Sequence, residues 1–209
     1  MCSTVENDRS QRKGEDVTSG RTADDELRER LVEAADDLFY ARGIQAVGMD
    51  AVREAAGVSL KKIYALVGSK DELVVAVLRR RARALQEALE ASADRAGDAR
   101  AKVLSVFDFL DAWFCEPGFR GCGFINAFGE LGSTTPAVAD AVRRQKAAFR
   151  EFVTELVVAA GGTPQAAVQI ALLAEGAQTT AAISGDPHVA REAGAAAATL
   201  LDAATPATV

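Results

Sequence analysis

Residues 43–73 read GIQAVGMDAVREAAGVSLKKIYALVGSKDEL. Helical periodicity divides this stretch into a short helix over residues 50–56, a tight turn at Gly57 and Val58, and a second short helix over residues 59–66, with a third helix beginning at Ser69. Ala51, Val52, Ala55 and Val58 form the apolar inside of the first helix and the turn; Ile63, Leu66 and Val67 form that of the second. Ser59, Lys61, Lys62 and Tyr64 are left pointing outward. Two short helices around a glycine turn, the second presenting cationic and aromatic groups, make the arrangement that enters a DNA major groove. A helical hairpin with no role on DNA is the alternative reading of the same periodicity.

Upstream, Thr22-x-x-Asp25 is a capping signal for a helix whose apolar stripe, Leu27, Leu31, Ala34 and Leu38, runs to Phe39 and ends at Gly43. That helix is scaffold for the two short ones. Residues 24–78 resemble the DNA-binding half of the TetR family of bacterial transcriptional regulators. The resemblance rests on Ala56-Gly57-Val58-Ser59 at the turn, Tyr64 five residues after the serine, Ser69-Lys70 opening the next helix with Leu73 behind it, and Ala34, Leu38, Phe39 and Gly43 upstream. It implies operator DNA as a partner, a homodimer joined through the last two long helices, and a C-terminal half that receives a small molecule. The chain departs from the family at three positions: Gly48 replaces a threonine that caps the second helix, Lys62 a threonine or serine, and Val67 a phenylalanine. Gly48, Ser59, Lys61, Lys62, Tyr64 and Lys70 are the DNA-binding candidates. Lys61 and Lys62 suit base edges, because lysine donates to guanine O6 and N7. Tyr64 and Lys70 suit phosphates, which set register.

Net charge is −6, which speaks against a nucleic-acid partner until it is counted by region. Residues 21–83 hold 12 basic against 11 acidic residues, whereas residues 84–209 hold 9 against 15. The acidity lies outside the helix-turn-helix. Three scattered cysteines at positions 2, 115 and 122 and a single histidine, His188, give neither a disulfide framework nor a metal site. No glycine-rich phosphate cradle occurs, and Asp108, Asp111, Glu116 and Glu130 are scattered carboxylates, so no enzyme and no cofactor is expected. No apolar run reaches the length of a membrane span and no signal peptide is visible, which predicts a cytoplasmic protein.

The expected organisation is all-α: a disordered tail over residues 1–20, the helix-turn-helix domain over 21–68, a connecting helix over 69–95, and a ligand-binding and dimerisation domain over 96–209. In the tail, Arg21 is a candidate phosphate contact or a solvated arginine. The cluster Arg79, Arg80, Arg81 and Arg83 either extends the phosphate footprint or pairs with Glu72, Glu87 and Glu90. Beyond residue 96, Phe107, Leu110, Trp113, Phe114 and Phe149 line a pocket or fill a plain core. Polar groups set among them, Asn126, Glu130, Gln145 and Gln178, would orient a largely apolar ligand, with Glu130 favouring a cationic one unless backbone donors or Arg120 satisfy it. Cys122 is a further ligand-site candidate, or a redox-sensing thiol resolved by Cys115, or an inert buried cysteine. The helices expected over 164–184 and 187–203 are rich in Ala and Gly and apolar nearly all round, which calls for a second copy of the chain. The sequence thus reads as a dimeric transcriptional regulator, a repressor released from a pseudo-palindromic operator by a small effector. A constitutive DNA binder without effector and a cysteine-based redox regulator are its rivals.

Overall fold

The computed structural model describes residues 22–204; the tail, Arg21 and Cys2 lie outside them. Among the described residues are nine helices and no strand. Helix α1 (Ala23–Arg42) begins in a complete capping box: the Thr22 hydroxyl accepts from the Asp25 N–H at 3.2 Å while the Asp25 carboxylate accepts from the Thr22 N–H at 3.1 Å. Helix α2 (Met49–Ala56) starts at Gly48, which has no side chain to cap it, and ends at Gly57, whose φ of 64° is left-handed. Ser59 then caps α3 (Leu60–Val67), and Ser69 caps α4 (Lys70–Arg95), each accepting from the N–H three residues on. Leu31, Ile63, Leu73, Val52 and Val74 are fully buried where these four helices meet. Sequestering an aliphatic side chain of this size stabilises the fold by about 1.5–3 kcal/mol.

Asp98 caps α5 (Ala99–Phe114), and α6 (Gly123–Leu131), α7 (Pro136–Ala159), α8 (Pro164–Ser184) and α9 (Val189–Ala204) complete the chain. A second core lies between α5, α7, α8, α9 and the far end of α4, built on Val103, Val106, Phe107, Leu110, Val153, Val157 and Ile170. Alanines 167, 171, 174, 190 and 197 are buried in it, and their small size lets α8 and α9 approach closely. The first core does not stop at α4. Phe124 and Ala127 of α6 and Val138, Ala141 and Val142 of α7 pack into it. The C-terminal half therefore grips the N-terminal half directly through α6, as well as through the shared helix α4.

Two residue-level expectations are overturned by this packing. Of the arginine cluster, Arg80 and Arg81 turn to α1 instead of to Glu87 and Glu90: both bond the buried carboxylate of Asp36, Arg80 through Nη1 at 3.0 Å, and Arg80 also reaches Glu33 at 3.1 Å. A carboxylate so buried is tolerable only with such charge-assisted partners. Glu130 and Asn126 do not join Gln145. They face the α1 side, for the reasons given next.

Candidate DNA interface and effector site

The outward face of α3 carries Ser59, Lys61 and Tyr64, all exposed, with Tyr64 45 % accessible. Ile63 and Val67 anchor the opposite face in the first core, which fixes the angle at which this surface is presented. Lys61 has no ion-pair partner among the described residues. Lys62, by contrast, is bound to Asp24 at the start of α1 at 2.6 Å. The Ser59 hydroxyl is engaged as the α3 cap, 3.3 Å from the Lys62 N–H. Gly48 lies exposed at the start of α2, and a Cβ placed on it meets no atom within 4 Å. Lys70 is turned inward: its ammonium donates to the Val47 carbonyl at 2.6 Å and sits 5.9 Å from the centre of the Phe39 ring.

Five of the ligand candidates, Leu110, Trp113, Gln145, Phe149 and Gln178, converge on one cavity with Leu85, Leu89 and Phe109. Its volume is about 10 Å³, roughly what a single water needs. Gln178 donates to the Ala174 carbonyl at 3.2 Å. The Oε1 of Gln145 is buried with no hydrogen-bond partner, an arrangement that costs about 1–3 kcal/mol in a native core. Immediately outside lies a groove of about 630 Å³ between α4 and α7, sharing Leu85, Leu89, Gln145 and Phe149 with the cavity.

The remaining candidates lie elsewhere. Phe114 packs on Phe119, ring centres 4.8 Å apart, and Trp113 meets the same Phe119 edge-on at 5.2 Å. Phe107 faces α9, where a Cβ on Gly194 would lie 3.1 Å from its own Cβ. Asn126 is exposed and donates to the Arg120 carbonyl at 3.0 Å. The Glu130 carboxylate accepts from the backbone N–H groups of Ile44 and Gln45 at 3.0 and 2.8 Å, and Gln45 donates its side-chain amide back to the Glu130 carbonyl at 2.7 Å. The cationic preference argued from Glu130 falls with it, because backbone donors of the α1–α2 loop already satisfy the charge. Close by, the Tyr40 hydroxyl accepts from the Arg120 N–H and donates to the Gly121 carbonyl, both at 2.8 Å, while Arg81 stacks on its ring at 4.2 Å. Burial raises the Tyr40 pKa, against the lowering effect of the Arg120 N–H and of Arg81.

Two residues that the sequence reading passed over stand at the centre of this region. Lys146 and Glu175 form a half-buried pair at 2.5 Å, and the same ammonium lies 3.3 Å from the Cys122 sulfur at the start of α6. Lys146 is one residue beyond Gln145, at the edge of the apolar stripe of α7, and Glu175 stands among buried alanines of α8. A charge at the margin of an apolar stripe was the available signal. Cys122 is buried and Cys115 is exposed, and both are free thiols.

Residues 31–77 match the family model of TetR-type bacterial regulatory proteins. The chain is 32% identical over 158 residues to the helix-turn-helix transcriptional activator FasR of Mycolicibacterium smegmatis, covering 71% of this chain and 69% of that protein. A TetR-family transcriptional regulator from Streptomyces coelicolor superposes with a TM-score of 0.80 at 29% identity, over 87% of this chain and 97% of that one. One from Streptomyces avermitilis does so with 0.73 at 33%, over 85% and 97%. These are regulators and not enzymes, and no helix among the described residues is long and apolar enough to cross a membrane. With an N-terminal helix-turn-helix followed by an all-helical C-terminal half, the chain belongs to the TetR family and is a DNA-binding transcriptional regulator.

Proposed function

We propose that this regulator is a dimeric, cytoplasmic repressor released from a pseudo-palindromic operator by a small, largely apolar effector. The observation that carries the effector reading is Gln145: an unsatisfied acceptor in an otherwise apolar core, beside an open groove, is a group waiting for a donor. Two recognition helices, one from each subunit, lie in successive major grooves, with Lys61 and Lys62 at base edges and Tyr64 at a phosphate. Lys62 must leave Asp24 to do so, so it reads DNA at a cost that Lys61 does not bear. The dimer forms across α8, whose outer face exposes Val168, Leu172 and Ile183 at 50, 64 and 82 %.

Coupling runs through contacts that two states of the effector site would change unequally. Glu175 holds Lys146, Lys146 touches Cys122 at the start of α6, and Glu130 at the other end of α6 holds the α1–α2 loop. An effector that parts α4 from α7 shifts α6 and with it the head. Near-solid packing around Trp113 favours a second reading, a constitutive binder with no effector. The two readings separate in one experiment: an operator is selected from random duplexes, affinity is measured by anisotropy, and a library of apolar amines, phenols and acids is screened for release. Release by any of them at a concentration that saturates binding supports the receptor; ligands that never alter DNA affinity leave the constitutive binder. The activator in the name of the M. smegmatis relative is the opposite sign of regulation, and a promoter reporter with the gene deleted decides it, expression rising for a repressor.

A further inference from the structure

We infer that the groove between α4 and α7 takes lipophilic organic cations bearing a hydrogen-bond donor, and excludes the corresponding anions. The inference rests on the receptor reading and adds the chemistry of the ligand. The floor of the groove is apolar: Leu85, Leu89, Ala148, Phe149 and Phe152. Its rim carries the carboxylates of Glu87, Glu90, Glu151 and Glu155 against the single guanidinium of Arg83. Glu90 accepts from Gln86 at 2.7 Å, whereas Glu87, Glu151 and Glu155 have no ion-pair partner among the described residues. Such an acidic rim is by itself an ordinary solvated surface. What distinguishes this one is Gln145, 9 % exposed, a residue that lines both groove and cavity and whose buried Oε1 has no hydrogen-bond partner among the described residues.

The charges inside add to this selectivity. Lys146 is neutralised by Glu175, so the inner end offers no free cation to a carboxylate ligand. An anion would leave water, face the unpaired rim glutamates and find no counter-charge. A cation keeps its charged end in water among the carboxylates while its body fills the groove. Glu151 and Glu155 stand six and ten residues beyond Gln145 on the same helix, about 9 and 15 Å along its axis. A ligand whose donor meets Gln145 and whose ammonium meets the rim is therefore an aromatic body of one or two rings with a short aminoalkyl chain.

Calorimetry with three matched probes tests this: a phenol carrying a butylammonium chain, the same phenol carrying a butanoate chain, and the butylammonium compound without its hydroxyl. The phenolic cation should bind the full-length dimer roughly tenfold or more tightly than the anion, by a margin that shrinks as salt is raised. The variant Glu151→Gln with Glu155→Gln should erase most of the difference between cation and anion, and Gln145→Leu should erase the difference between the compounds with and without the hydroxyl. Should Gln145→Leu fail to fold, the rim variant decides alone. Anion affinity equal to or above that of the cation, or no heat from either at millimolar concentration, overturns the inference while leaving repression and its operator intact. A cation that binds as described without changing operator affinity upholds the ligand chemistry and overturns the receptor reading instead.

Discussion

At the scale of the residue, Gln145 sets the proposed effector binding against stability. Its buried acceptor has no partner among the described protein groups, so Gln145→Leu should raise the unfolding free energy by about 1 kcal/mol, because removing an orphaned polar group relieves its desolvation penalty. Urea melts of the two proteins measure this, and a less stable leucine variant would mean that the amide is satisfied after all. Tyr40 gives a second test. Its folded pKa lies above the unfolded value near 10, so its contribution is complete below pH of about 10 and is lost as pH climbs through the folded value. Tyr40→Phe should flatten that alkaline loss of stability, seen in melts across the range. These roles were only partly legible in sequence. Residues four apart, such as Asn126 and Glu130, share a helix face, but spacing does not say which way a face looks, and α6 turns Glu130 to the α1–α2 loop. Gln145 and Gln178 were legible because a lone polar residue within a long apolar stripe has nowhere else to point.

At the scale of the element, α2 and α3 are read almost directly from their punctuation. Ser59, Gly57 and Ser69 fix ends by local hydrogen bonds that involve no distant partner, which is why the boundaries of the helix-turn-helix were visible. Gly48 is the weak point of this unit. Its extended backbone, φ −80° and ψ 159°, and the open space around it accommodate a side chain. Gly48→Ser should stabilise the protein by about 0.5–1 kcal/mol, through a cap bond and a less flexible unfolded chain. Thermal melts check it. Lys70 was less legible: its place at the start of α4 suits a phosphate, whereas its bond to Val47 is a tertiary contact no local rule encodes. If the ammonium swings to DNA, Lys70→Ala lowers the salt slope of binding by about one per subunit. An unchanged slope with a lower melting temperature would make it a strut between the α1–α2 loop and α4.

At the scale of the molecule, the dimer face is where sequence composition needed the structure. Ala-rich helices announced close packing but not which alanines face inward. Ala197 is completely buried within one subunit, so Ala197→Arg would disrupt the fold itself. Leu172, 64 % exposed on the outer face of α8, is the informative position. Leu172→Arg should give a folded monomer by sedimentation, with operator affinity lost because two half-sites must be bound together. A dimer that survives this change would move the interface off α8. The grip of α6 on the head has one further consequence. The Glu130 carboxylate holds main-chain N–H groups, so the identities of residues 44 and 45 are immaterial to those two bonds; of the loop's side chains, Gln45 alone adds to the grip, through its amide on the Glu130 carbonyl. A foreign reading head of equal loop length, keeping Asp36 for the two arginines, Tyr40 for the α5–α6 turn and Gln45 for the Glu130 carbonyl, would plug into the same socket, and the C-terminal half would then serve a promoter it has never met.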